Sequence, residues 1–137
     1  MNRCMEEKNP EKIDLRTVAT PALAYLGDCV LELCVRTHLV RKGISSSAHL
    51  NEKAMDYVRA QAQAAAMERL HPFLTEEEEA VYRRGRNQGH TTVPKSATPA
   101  EYRSATGMEC LFGWLYLGGK SDRIDELFKL AYAEIEE

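Results

Sequence analysis

Thr20-Pro-Ala-Leu-Ala-Tyr-Leu-Gly-Asp-Cys-Val-Leu-Glu-Leu-Cys-Val-Arg-Thr-His-Leu-Val40 is the most apolar helix-forming stretch of the chain. Thr20-Pro21 reads as an N-cap followed by the first helical residue, and Gly43 marks the stop. From Ala22 to Val40 apolar residues occupy almost the whole circumference, the pattern of a helix buried on all sides. A small domain has too little material to cover such a helix alone. A two-fold contact with a second copy is the commonest way to bury the surplus. A helix buried on all sides, in a homodimer, is the expectation.

The segments on either side are also helical. Residues 1 to about 18 form a polar extension. After the first helix comes a Ser-rich loop, Ile44 to His49. A second helix is expected from about Leu50 to Leu70, with Ala54, Tyr57, Val58, Gln61, Ala64 and Ala65 on one largely apolar stripe and His71-Pro72 at its end. Thr75 with Glu78 three residues on is a capping box. It opens a short helix whose last turn carries arginines. Gly89 to Ala97 has no periodicity and reads as a basic, polar loop. Thr98-Pro99-Ala100-Glu101 combines a capping box with proline at the first helical position, and Gly118-Gly119 terminates that helix. Ser121 is the expected cap of a last helix, whose face is Ile124, Leu127, Phe128, Ala131, Tyr132 and Ile135. No segment shows strand alternation, so the fold class is all-α.

The 137 residues suit one domain, 1–137. No apolar run approaches the roughly 20 residues of a membrane span. The polar start resembles no secretory leader, so a cytoplasmic protein is expected. Cys4, Cys29, Cys34 and Cys110 form no CxxC pair, and Cys29, Cys34 and Cys110 read as reduced core residues. The net charge of −3 is unevenly spread. Between Ala80 and Arg103, Arg83, Arg84, Arg86, Lys95 and Arg103 face the single acid Glu101. From Asp122 to Glu137 acids dominate. One stretch can hold phosphates, and the opposite pole would be repelled by them.

Most acids stand at helix starts, on polar faces or in the tail. Asp28 and Glu109 do not. Asp28 lies in the most apolar helix, beside Gly27. Glu109 stands in Gly107-Met-Glu-Cys-Leu-Phe-Gly113. Burying a carboxylate in such surroundings costs several kcal/mol unless something compensates. The helix-weakening glycines suggest close approach of another backbone, a metal or a ligand. Two carboxylates on two apolar helices can converge on one hard cation. Alternatively, each can pair with an arginine such as Arg36 or Arg103. Glu32 is a third possible ligand or the partner of Arg36, four residues on. Arginines at a helix C-terminus also satisfy the helix dipole, yet Arg83-Arg84-Gly85-Arg86-Asn87 with Lys95 nearby exceeds that need. Phosphate contact is the sharper reading.

Ala24-Tyr25-Leu26-Gly27-Asp28-Cys29-Val30-Leu31-Glu32 resembles the ribonuclease III signature helix, centred on Leu-Gly-Asp. Thr106-Gly107-Met108-Glu109-Cys110-Leu111-Phe112-Gly113 resembles that superfamily's second carboxylate helix. With Arg84-Gly85-Arg86-Asn87, Val93-Pro94-Lys95 and Tyr102-Arg103-Ser104-Ala105-Thr106-Gly107, the likeness is to the Mini-III ribonucleases, and it runs from about Pro21 to Leu117. Ala24 and Thr106 stand where the wider superfamily carries two further acids, a sparseness that Mini-III proteins share. The resemblance implies an all-helical homodimer without a separate double-stranded-RNA-binding domain. It implies Mg²⁺-dependent hydrolysis of double-stranded RNA, leaving 5′-phosphate and 3′-hydroxyl ends. Its expected substrate is precursor large-subunit (23S) ribosomal RNA, with a large-subunit ribosomal protein as possible helper. Asp28 and Glu109 are then the catalytic and metal-holding pair. Arg84, Arg86, Asn87, Lys95 and Arg103 are the expected RNA contacts.

Two further readings compete: a non-catalytic double-stranded-RNA-binding module on the same fold, and a helical protein-interaction domain whose basic loop is incidental.

Overall fold

Six α-helices are found among the described residues, 14–88 and 95–133 of a computed structural model. They are α1 (Thr20–Arg41), α2 (Ser47–Val58), α3 (Ala60–Leu70), α4 (Glu76–Arg86), α5 (Pro99–Leu117) and α6 (Ser121–Ala131). Short 3₁₀ turns at Leu15–Thr17 and His71–Phe73 precede α1 and α4. All regular structure among these residues is helical, as expected. Cys4, His90, Val93, Pro94, Ile135 and most of the polar extension lie outside the described residues.

The hub is α5, which packs most extensively on α1, then on α4, α3 and α6. Its composition explains the position. Met108, Cys110, Leu111, Phe112 and Leu115 are all buried, and they surround the helix rather than marking one side. Two glycines on α5 let neighbours come close. A methyl group on Gly113 would overlap the Leu23 carbonyl of α1, and one on Gly27 would overlap the Glu109 carbonyl of α5. A methyl on Gly107 would sit 2.6 Å from the Tyr82 ring of α4, and one on Gly85 would sit 2.8 Å from the Gly107 Cα. Each crossing therefore uses one glycine from each helix, and backbone meets backbone.

Both expected capping boxes are present. Glu78 N–H donates to Thr75 Oγ1 (3.1 Å), and Thr75 N–H donates to Glu78 Oε1 (2.9 Å). The same pair of bonds joins Thr98 and Glu101. Gly119, at φ +72°, ends α5 in the left-handed region that glycine tolerates. Glu78 also holds α6. Arg123 donates Nε and Nη2 to its two oxygens at 2.9 and 2.8 Å, and Nη2 to the Phe73 carbonyl at 2.7 Å. Burial is the largest single influence and raises the Glu78 carboxyl, but the Arg123 hydrogen bonds and charge together with the Thr75 hydrogen bonds outweigh it and hold the group below its usual range.

Four expectations need correction. The helix over 50–70 is two helices, broken at Arg59, whose backbone is extended (φ −70°, ψ 154°). The loop before it is shorter, because Ser46 caps α2 by accepting from His49 N–H at 3.1 Å. Thr20 is the first residue inside α1 rather than its cap, and Ala19, which stands before it, supplies no side-chain bond. Lys120 rather than Ser121 precedes α6, again without a side-chain cap. The final apolar face holds: Ile124, Leu127, Phe128, Ala131 and Tyr132 are buried.

Candidate active site at the crossing of two helices

Asp28 and Glu109 meet at the crossing of α1 and α5. Gly27 lies against the Glu109 carbonyl, which brings the next residue along α1, Asp28, beside Glu109. The two carboxylates differ in setting. Asp28 is exposed, against the expectation of a buried acid, while Glu109 is half-buried. Burial, and then the nearby Asp28 charge, push the Glu109 carboxyl up to about 8. Its proton is therefore retained near neutral pH unless a cation replaces it.

Neither carboxylate forms an ion pair with a described residue. Arg36, one candidate partner, instead meets Glu32 at 3.3 Å along the exposed side of α1. Among the described residues no group of three or more His, Cys, Asp or Glu side chains gathers as a metal cage. The pair nevertheless suits magnesium, which takes one or two carboxylates and keeps several waters. Two hard oxygen donors, one of them raised by burial and like charge, form a site that a divalent cation would relieve.

The expected phosphate contacts divide into groups. Arg86 and Asn87 close α4. The Arg86 guanidinium lies 5.7 Å from the Tyr82 ring centroid, and its Nε donates to Asn87 Oδ1 at 3.3 Å. Tyr82 Oη lies 3.1 Å from Ser104 Oγ, so the end of α4 runs beside the start of α5, where Arg103 is exposed. Lys95 is exposed just before α5. Beside it Ser96 accepts from Gln61 Nε2 of α3 at 2.8 Å. Arg84 differs from the others. Its Nη2 turns inward, donating to the Val18 carbonyl at 2.9 Å and to Thr20 Oγ1 at 3.1 Å.

Sequence reasoning missed two features here. Cys110, beside Glu109, donates its Sγ–H to the Thr20 carbonyl at 3.4 Å. Burial and the Glu109 charge, partly opposed by Arg84, push its thiol up to about 11, so it stays protonated and able to donate. Cys29, expected in the core, is exposed on α1. It shares one outward stripe with Tyr25 (85% exposed), Leu33 (57%) and Val40 (61%). Spacings of three and four residues were the signal for that stripe. Nothing local signalled the Cys110 contact, which spans 90 residues.

A glycine crossing thus places two carboxylates, in no ion pair with a described residue, on neighbouring helices, with arginines at the end of a third. The Ribonuclease III domain family matches residues 21–120, and the chain belongs to this family of endoribonucleases. Its relatives within the family are Mini-ribonuclease 3 proteins. That of Symbiobacterium thermophilum is 46% identical over 120 residues, covering 88% of this chain and 92% of the relative. That of Brevibacillus brevis is 45% identical over 114 residues, covering 83% and 85%. The crystal structure of protein FN1578 from Fusobacterium nucleatum is similar in fold, with a TM-score of 0.79 at 29% identity, covering 89% of this chain and 98% of that one.

Proposed function

We propose that this endoribonuclease hydrolyses double-stranded RNA at the Asp28–Glu109 pair with Mg²⁺ as cofactor. The observation that carries the reading is the pair itself: two carboxylates set side by side by a glycine crossing, in no ion pair with a described residue, with Glu109 raised to about 8. Asp28 and Glu109 would hold the cation, Glu109 giving up its proton to do so. A bound Mg²⁺ would supply Lewis-acid chemistry, lowering the pKa of a water and offsetting charge on the phosphate. Gly27 and Gly113 keep the two carboxylates close. Arg86, Asn87, Lys95 and Arg103 grip phosphates and 2′-hydroxyls, so that the duplex is chosen by shape. Arg84 was expected among them, and its inward bonds set it apart.

The fuller proposal has the protein act as a cytoplasmic homodimer on precursor large-subunit ribosomal RNA, with a ribosomal protein as helper. The outward apolar stripe of α1 supports the homodimer. No described helix is long and apolar enough to cross a membrane. The test is purified protein with a labelled RNA duplex, in Mg²⁺ or in chelator. Cleavage in Mg²⁺ alone, with 5′-phosphate ends, is the expected result. Stable binding without cleavage would instead favour the non-catalytic module.

A further inference from the structure

We propose that Arg84 is a positioning residue, fixing the start of α1 so that Asp28 faces Glu109 and both keep register with the basic end of α4. The inference rests on the reading of Asp28 and Glu109 as the catalytic pair. Three helices meet at Thr20. From α4, Arg84 Nη2 donates to Thr20 Oγ1 and to the Val18 carbonyl one residue before the helix cap. From α5, Cys110 Sγ donates to the Thr20 carbonyl. The α1 N-terminus has no side-chain cap of its own; these long-range bonds donate to acceptors on Val18 and Thr20, so they tie the start of α1 to α4 and α5 without satisfying its free N–H groups.

Beneath them Leu23, Val81 and Cys110, one from each helix, form a small core of their own. Gly85, next to Arg84, is one of the places where α4 packs tightly on α5: a methyl there would lie 2.7 Å from Cys110 Sγ. Arg84 is therefore placed where α4 cannot shift without shifting α5.

The two Arg84 bonds are charge-assisted and Arg84 suits the C-terminal end of α4, but its place beside the α1 N-terminus is not one that the α1 dipole would select. A cation beside a helix N-terminus opposes the helix dipole. A site selected only for attraction would put an acid there. A guanidinium instead supplies a rigid planar fork, whose one terminal nitrogen spans two acceptors in a fixed geometry. Thr20 of α1 is held to Arg84 of α4 and Cys110 of α5 at one point, and Gly27 is held against Glu109 at a second, about 10 Å along the α1 axis at 1.5 Å per residue. Two fixed points set both the tilt and the roll of α1, and roll decides where Asp28 points.

A phosphate contact and a positioning residue fail differently when altered. Arg84→Lys keeps the charge but loses the planar, fixed donor geometry, and Thr20→Val removes one of the two Arg84 acceptors without touching any cation. Each is expected to lower kcat at saturating duplex RNA by about ten- to a hundredfold, the scale of a small misplacement of reacting groups. Each should also weaken Mg²⁺ binding measured by calorimetry. Duplex affinity without divalent cations, and its salt dependence, should stay at wild-type values. The double variant should be no worse than the poorer single one. Arg86→Gln provides the contrast, lowering the slope of log K against log salt by about 0.9, on the scale of duplex DNA.

The proposal is overturned if Arg84→Lys cleaves like wild type while Arg84→Gln loses affinity and salt slope as Arg86→Gln does. It is overturned equally if Thr20→Val is indistinguishable from wild type, a variant that removes one hydroxyl and so tests the idea even where Arg84→Gln fails to fold. Failure of the functional reading would appear in the wild-type protein itself, as duplex binding without Mg²⁺-dependent cleavage.

Discussion

Near neutral pH Glu109 holds a proton that an ordinary glutamic acid has lost. With the folded group at about 8 and an unfolded one near 4.3, the folded state binds that proton more tightly. The stability it contributes is complete below pH ~4, declines as pH rises, and is lost once pH passes through 8. Metal-free protein in chelator should therefore melt at a lower temperature at pH 8.5 than at pH 6. Glu109→Gln, which mimics the protonated acid, should flatten this difference, and an equal slope in both proteins would show that Glu109 is not the group responsible. The same variant and Asp28→Asn keep side-chain shape while removing a charge that would hold the cation. Each should lower Mg²⁺-dependent cleavage by at least about a hundredfold, since even the partners of metal ligands cost 10–100-fold when lost. Turnover near wild type in either, with a normal melt, would refute the site. The nearness of Asp28 and Glu109 was readable from an acid standing in each of two apolar, glycine-bearing stretches, although the burial expected of Asp28 was not, since its side of α1 faces outward. Arg84 was not, because a guanidinium at a helix end looks the same in sequence whether it turns outward to a phosphate or inward to a threonine 64 residues away.

Helix starts and stops marked by Thr, Pro, Glu and Gly were readable, since those residues act within one turn. The break at Arg59 was not. Val58-Arg59-Ala60-Gln61 contains neither glycine nor proline, and the chain bends there because α2 packs on α1 while α3 runs beneath α5 and α6. The bend also shifts the helical phase. The stripe drawn through Gln61, Ala64 and Ala65 gives way to Gln63, Ala66, Met67 and Leu70 as the buried face. The crossing of α1 and α5 allows a sharper test. In an isolated helix Gly27→Ala would gain up to about 1 kcal/mol. Here the added methyl overlaps the Glu109 carbonyl and comes within 2.9 Å of the Gly113 nitrogen, and backbone cannot rotate aside as a side chain can. Overpacking of this kind costs about 1–3 kcal/mol, so the variant should be destabilised, with the Asp28–Glu109 pair spread apart and cleavage reduced further than stability. Gly118→Ala is the comparison, since its methyl would meet nothing nearer than 3.4 Å. Equal melts for the two variants in denaturant would show that the crossing is not tight.

The molecule carries its charge unevenly and leaves one apolar surface uncovered. Helix α1 was expected to be buried all round. Leu23, Val30, Leu31, Val35 and Leu39 are indeed buried, yet Ala22, Tyr25, Cys29, Leu33 and Val40 face outward. At 100° per residue these outward positions fall on one line along the helix, interrupted only by Arg36, which is paired with Glu32. The apolar circumference of α1 therefore does mark surplus surface, and one chain does not bury it. Scattered exposed apolar residues are ordinary, but an aligned row on the helix that bears Asp28 is not. A two-fold contact would bring the same row from two copies together, each Leu33 packing against its mate's stripe, and would set two Asp28–Glu109 pairs on one assembly, one for each strand of a duplex. Light scattering at micromolar concentration should then give twice the 15.5 kDa of one chain. Leu33→Glu, which changes an exposed side chain and leaves the protomer core untouched, should shift the protein toward monomer and lower double-strand cleavage while the variant keeps its helical content. A wild-type mass of one chain with full duplex cleavage would show that a single protomer suffices and that the stripe serves another purpose. It would leave the chemistry of the carboxylate pair unaffected, because both of its residues come from the same chain.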